Sequence, residues 1–308
     1  MANKKDLVTN YKNNNKHLSK IDLNLSSIKL KNKSYIAGLF EGDGHIWISK
    51  DKTKKKHNPR FCITFALKNE PLAKKLLSLI EYGHIRYKPK DNACVLTISP
   101  VKGLKKIVSL INGELRTPKR SQLCNLIDWL NKNHSSNVEK LPLKIGNLNN
   151  DNWLAGFIDA DGSFSILHTK KKNGLRGKAK KNKISCRLRI EQRMLDPKTQ
   201  ESYFNVLTEI SNLLHCNLLT RKQLSTGNVY YTLAASSRKS LLVITNYFNS
   251  SSLFSSKYLD YKHWSEAVNL ILAYKHYTEM GKIRIDYLKS GMNNKRTSFT
   301  WTHLDKLN

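Results

Sequence analysis

From residue 34 onward the apolar positions follow two periods in a fixed succession. Tyr35 to Gly44 is an apolar run of helical length with Ser34 as its N-cap, and a strand-like alternation starts at His45. A basic turn at Lys52 to Lys56 leads to a strand from Arg60 to Leu67, in which Phe61, Ile63, Phe65 and Leu67 form a core face opposite Cys62, Thr64 and Ala66. A helix is expected from Pro71, strands at His84 to Tyr87 and Cys94 to Ser99, and helices at Lys102 to Ile111 and Lys119 to Asn131, with Pro71, Gly83 and Gly113 as punctuation. The order is αββαββα. Residues 135–151 read as a linker, and the order then returns, with Asn152 or Asp151 as the cap of the next helix. A strand is expected from Ser163, a long basic hairpin tip at Lys170 to Lys183, a strand from Ile184 to Gln192 and a helix from Lys198 to Leu214. Strands at Asn217 to Lys222 and Val229 to Ala235 follow, then helices at Lys239 to Tyr247 and Ser255 to Trp264. A helical tail continues through Lys275 and stops at Gly291.

The first helix of each half is a near copy of the other. Tyr35-Ile-Ala-Gly-Leu-Phe-Glu-Gly-Asp-Gly44 matches Trp153-Leu-Ala-Gly-Phe-Ile-Asp-Ala-Asp-Gly162. Such a repeat implies a pseudo-twofold molecule. Gly38 and Gly42, like Gly156 and Ala160, recur at the one-turn spacing that puts small residues on one helix face, so the two faces can pack backbone against backbone. Asp43 and Asp161 then fall at helix C-termini, where the macrodipole already places partial negative charge; stability alone would not choose Asp there. If the helices pack through their small faces, the two carboxylates and the carbonyl ends at Gly42 and Ala160 converge on one spot that calls for a divalent cation. Hard oxygen donors favour magnesium over zinc.

Both segments resemble the LAGLIDADG peptide of the homing endonucleases, in the two-copy, single-chain form. Ile36 to Gly44 departs from those letters by three conservative changes and by Gly42 for Ala; Leu154 to Gly162 departs only at Phe157. Two copies in equivalent contexts set chance aside, and the resemblance covers roughly residues 34 to 265. It implies an α+β fold of two pseudo-twofold-related αββαββα repeats, with the motif helices at their interface and antiparallel sheets forming a DNA-binding saddle. The expected organisation is a basic, flexible N-terminal extension at 1–33, a first repeat at 34–134, the linker at 135–151 and a second repeat with its helical tail at 152–308.

Composition agrees with a nucleic-acid enzyme. The 308 residues carry 54 Lys and Arg against 23 Asp and Glu, a formal charge of +31, which calls for a polyanionic partner. No apolar run is long enough to span a bilayer, and no signal-peptide pattern is present, so no membrane role is expected. Cys62, Cys94, Cys124, Cys186 and Cys216 are scattered without a Cys-x-x-Cys pair or a His at zinc-finger spacing, which excludes a zinc site and suggests buried thiols in a reducing compartment.

The charged face of the strand around Ser185 to Arg193 carries Ser185, Arg187, Arg189 and Glu191, opposite Cys186, Leu188 and Ile190, and suits base edges in the major groove. Arg193, Arg221 and Lys222 are further candidates for DNA contact. Lys54, Lys55, Lys56 and Arg60 at one hairpin tip, and Lys170, Lys171, Lys172, Arg176, Lys178 and Lys180 at the other, suit phosphates and would confer affinity rather than sequence information.

The resemblance carries the metal-ligating role to Asp43 and Asp161, and leaves the sixth-position acids Glu41 and Asp159 to packing or capping. It implies a basic residue near the start of each last helix, placed at Lys119 and Lys257, and a polar residue at the end of each second strand, placed at Gln192 and Asn69. The implied activity is Mg²⁺-dependent hydrolysis of double-stranded DNA at an asymmetric site of about 20 base pairs, by a monomer. Short 3′ overhangs and intron mobility would follow. Mn²⁺ is expected to substitute, and Ca²⁺ to support binding with little cleavage. The alternative is an intron maturase that binds its host intron RNA, alone or as a second activity; a ribosomal-type RNA-binding protein would explain the charge but not the duplicated acidic helices. Abundant Lys, Asn, Ile and Tyr, with AT-rich codons, together with the resemblance, point to a mitochondrial intron, with chloroplast second.

Overall fold

The computed structural model describes residues 30–49, 57–169 and 183–307. Its first half runs α1 (Leu30–Asp43), β1 (Gly44–Trp47), β2 (Arg60–Ala66), α2 (Glu70–Ile80), β3 (His84–Lys88), β4 (Ala93–Ile98), α3 (Val101–Ile111) and α4 (Arg120–His134). The second repeats it: α5 (Trp153–Asp161), β5 (Gly162–Thr169), β6 (Lys183–Arg193), α6 (Phe204–Leu213), β7 (Leu218–Lys222), β8 (Val229–Ala235), α7 (Arg238–Ser250) and α8 (Lys257–Leu272), with α9 (Glu279–Ser290) added. Each half builds an antiparallel four-stranded sheet of the same order, β1-β2-β4-β3 and β5-β6-β8-β7. The registers also match: Gly44 pairs with Ile63 as Gly162 pairs with Ile190, and Ile63 with Leu96 as Ile190 with Leu233.

Alternation explains both sheets. In β2 the side chains of Phe61, Ile63 and Phe65 are buried beneath the helices; in β6 those of Cys186, Leu188 and Ile190 are. The core is continuous from one half to the other, because α1 and α5 are apolar on nearly every side and pack directly on each other. Small residues make this approach possible. A Cβ built on Gly38 would overlap the Trp153 carbonyl oxygen, one on Gly156 would overlap that of Tyr35, and one on Gly42 would overlap the Ala160 Cβ.

Several expectations shift. Helix α1 starts before Ser34, whose buried hydroxyl instead accepts a hydrogen bond from the Asn152 N–H at 3.1 Å, at the start of the opposing motif helix. Of the two cap candidates for α5, the Asp151 side chain accepts from the Trp153 N–H at 2.9 Å. Residues 194–203 are a turn rather than the first turns of a helix, because the buried Asp196 carboxylate accepts from the N–H groups of Lys198 and Thr199 and so closes a local loop. The tail is not continuous with α8: Tyr274 takes a left-handed backbone (φ 59°), and Thr278 caps a separate helix through the Gly281 N–H, which ends at Gly291 as expected. None of the five cysteines forms a disulfide. No described helix is long and apolar enough to cross a membrane.

Candidate active site

Helices α1 and α5 end at their acids because Gly44 and Gly162 turn the chain at once into strands. With Gly42 against Ala160, the Asp161 Oδ2 lies 3.3 Å from where a Cβ on Gly42 would stand, so that carboxylate hangs beside the last turn of α1, while Asp43 lines a cleft with Ala160 of α5. Burial pushes the Asp161 pKa up to about 6, and the neighbouring charge of Asp43 adds to the rise. Asp43 is also raised, by burial first, although its side chain keeps an open face to solvent. Among the described residues no cluster of three or more His, Cys, Asp and Glu exists. The donor set at this spot is therefore two carboxylates beside helix-end carbonyls, all oxygen. That fits a hard divalent ion such as Mg²⁺.

The sixth-position acids face away from this spot and anchor the loops that enter the last helices. Buried Glu41 accepts from the Arg116 N–H (3.1 and 3.0 Å), the Thr117 N–H and hydroxyl (both 2.6 Å) and the Trp153 indole N–H (2.5 Å). Its burial outweighs these donors and places its pKa at about 7. Asp159 accepts in the same way from the Phe254 N–H (2.6 Å), the Ser255 N–H (3.1 Å) and hydroxyl (2.5 Å), and the Tyr35 hydroxyl (2.7 Å). Tyr35 and Trp153 hold the same place in their motifs, so each helix's first aromatic donates to the acid of the other helix.

The loops so anchored deliver two lysines to the helix ends. Lys119 Nζ donates to the carbonyls of Gly42 (2.6 Å) and Gly44 (3.0 Å), and Lys257 Nζ to those of Asp159 (2.8 Å) and Ala160 (2.6 Å). Both cations thus sit where the helix dipole is most negative. Burial lowers the pKa of each, while the nearby carboxylates pull it back up. The pairing crosses the pseudo-twofold: Lys257 acts more strongly than Lys119 on Asp43, and Lys119 more strongly than Lys257 on Asp161. A cleft of about 270 Å³ beside Asp43 is lined by Lys68, Asn69, Ala160, Ser256 and Lys257.

Gln192 donates from Nε2 to Asp161 Oδ2 at 2.9 Å. Asn69 does not hold the corresponding place in the first half. Counting from the matched pairs Gly44–Ile63 and Gly162–Ile190, the counterpart of Gln192 is Phe65, which is buried, and that of Asn69 is Asp196. The expected correspondence is displaced by the residues that separate strand end from helix start. Asn69 Oδ1 accepts instead from the Ser256 N–H at 2.9 Å, across the interface.

On the second sheet's outer face Ser163, Arg189 and Ala234 form one row, and Arg193, Tyr230 and Arg221 another. Arg187 shares this face next to Ser165. Glu191 forms ion pairs with both Arg189 and Arg221 and orients them. Lys222 alternates to the opposite face of β7, beside Val229. On the first sheet Arg60 stacks over exposed Trp47 at 5.1 Å. The same face carries His45, Thr64, His84 and Arg86; apart from Arg60 the sequence reading missed these, although the alternation His84-x-Arg86-x-Lys88 was there to be read. Lys54, Lys55, Lys56, Lys170, Lys171, Lys172, Arg176, Lys178 and Lys180 lie outside the described residues.

A family model described as LAGLIDADG endonuclease matches residues 36–130 and again 154–268. The intron-encoded DNA endonuclease aI3 of Saccharomyces cerevisiae is 31% identical, over 95% of this chain and 77% of the relative. An uncharacterized cox1 intron-2 37.2 kDa protein of Schizosaccharomyces pombe is 31% identical over 82% of the chain and 69% of its own length. The crystal structure of the I-LtrWI LAGLIDADG homing endonuclease bound to target DNA superposes with a TM-score of 0.65 at 20% identity, over 87% of this chain and 99% of that one. Two matched repeats in one chain, carried by the two motif helices that meet at the centre of the molecule, place this protein in the LAGLIDADG endonuclease family.

Proposed function

We propose that the chain makes a site-specific double-strand break in a long, imperfectly symmetric DNA target by Mg²⁺-dependent hydrolysis, leaves short 3′ overhangs, and thereby spreads the intron that encodes it, in a mitochondrion. The observation that carries this reading is the pair of carboxylates, Asp43 and Asp161, at two packed helix C-termini, with the half-buried Lys119 and Lys257 held on the helix-end carbonyls beside them. Asp43 and Asp161 would hold the ion, with the carbonyls of Gly42 and Ala160 beside them. The bound ion supplies charge neutralisation at the scissile phosphate and a more acidic water.

The protein's own groups do the positioning. Lys119 and Lys257, fixed on helix-end carbonyls, present positive charge where the phosphate gains negative charge, and their lowered pKa values bring them closer to the range for proton transfer. Gln192 fixes the orientation of Asp161. The outer sheet faces supply Arg187, Arg189, Arg193, Arg221 and Arg60 for the grooves and backbone of the duplex. Because the two faces carry different residues, a perfectly palindromic target is not expected.

Selection of cleaved sites from a randomised DNA library in Mg²⁺ tests the proposal. A recovered asymmetric site of about 20 base pairs supports it. Tight RNA binding with no DNA cut under any divalent ion would favour the splicing role instead.

A further inference from the structure

The pseudo-twofold is broken at the loops that carry the two lysines. Each loop rests on its sixth-position acid in the same way: Thr117 and Ser255, Lys119 and Lys257 are counterparts, and both hydroxyls reach the acid. One residue between them differs. The counterpart of Ser256 is Pro118, which has no N–H. In the second half the Ser256 N–H is free to donate, and it does so to Asn69 of the first half at 2.9 Å. In the first half there is nothing to donate, and Asp196, the counterpart of Asn69, closes its own turn through Lys198, Thr199 and Tyr203. Asn69 is also the N-cap of α2 yet makes no side-chain cap bond, so its carboxamide is committed to the loop of the other half.

We propose that Asn69 is a positioning residue for Lys257: it latches the Ser256 peptide across the interface and holds that lysine over Asp43, a device the Lys119 and Asp161 pair lacks and replaces by Gln192 on the acid itself. The proposal rests on the reading of the chain as a nuclease that cuts both strands. Its consequence is strand-selective. Loss of the latch loosens one of the two lysine and acid pairs and leaves the other intact.

The test is single-turnover cleavage in Mg²⁺ of a duplex labelled differently on its two strands and carrying the selected target. Lys257→Met first identifies the strand that depends on Lys257. Asn69→Ala is expected to slow that strand about 3- to 10-fold at saturating protein, with the other strand within about 2-fold and binding unchanged. Ser256→Pro, which places in the second half the residue that the first half already has and which the Ser256 φ of −57° admits, should slow the same strand to a similar degree. The double variant should be no slower than the slower single, since both remove one bond. Asn69→Asp, which keeps an acceptor oxygen, should recover most of the rate. Equal slowing of both strands by Asn69→Ala, an unchanged rate on both, or additive loss in the double variant overturns the latch. Wild-type protein that leaves both strands uncut removes the nuclease reading, and the latch with it; that failure is seen before any variant is made.

Discussion

At the scale of single residues, burial gives the two motif acids an electrostatic cost. The Asp161 carboxyl is raised to about 6 in the folded chain, above the value near 4 of an unfolded one. Folding therefore disfavours its ionised form. The penalty is absent below about pH 4, where both states are protonated, grows as pH rises to about 6, and stays constant above. In metal-free buffer near pH 7.5, Asp161→Asn should be more stable than wild type by on the order of 1 kcal/mol, a gain that vanishes near pH 3.5; denaturant titration at the two pH values reads it. The same variant should lose double-strand cleavage while it still binds DNA, and Mg²⁺ should raise the melting temperature of the wild type only. Mg²⁺ affinity of the wild type, followed by calorimetry, should weaken by up to about tenfold per pH unit below pH 6 and level off above it. A flat profile across that range would remove Asp161 from the ion site.

The elements were legible wherever a period or a repeat wrote them. Alternation gave both faces of β6 and the core face of β2, where Cys62 on the opposite face is buried as well and Leu67 falls beyond the strand, and the doubled motif placed two helices at the interface, down to the small residues that let them touch. Gly38→Val should accordingly cost about 3 kcal/mol or more, since the new side chain meets backbone of α5 that cannot move aside, and the loss should show as lower melting of the whole chain rather than of one half. What escaped the sequence was set by neighbours distant in the chain. Ser34 reads as a cap for its own helix until the opposing Asn152 is brought beside it. The turn at 194–203 depends on a buried carboxylate that outcompetes helix propensity, although Pro197 and the late onset of apolar spacing at Phe204 were visible hints. The break at Tyr274 carries no Gly or Pro to announce it. Asn69 matches Gln192 only by its nearness to a strand end, and the ladder register shows that Phe65 holds that place.

Across the whole molecule, the two halves share a layout and divide the labour. Each acid and lysine pair draws one member from either half, so neither half is expected to cut alone. The outer sheet faces differ: the second carries arginines held by Glu191, the first a mixture of His45, Thr64, His84 and Arg86 with the stacked Arg60 and Trp47. Replacing Arg189 and Arg221 by Ala should relax base preference in one half of the target by about 1 to 3 kcal/mol for each bidentate arginine–base pair that is removed, measured as binding across single-mismatch targets. Replacing Lys170, Lys171 and Lys172 together should weaken binding to every sequence and flatten the salt dependence, with base preference retained. The reverse pattern would mean that the sheet does not face the grooves.

Two carboxylates at packed helix ends, each served by the lysine of the other half, are held to cut both strands of DNA with a divalent ion. Strand-resolved cleavage of the selected target by wild type, Asp43→Asn, Asp161→Asn, Lys119→Met and Lys257→Met, with Mg²⁺ and then with Ca²⁺, measures this most directly. Wild type is predicted to cut both strands in Mg²⁺ and to bind with little cutting in Ca²⁺, neither Asp variant to make a double-strand break, and the two Lys variants to slow opposite strands. Double-strand cutting at the wild-type rate by either Asp variant would contradict it.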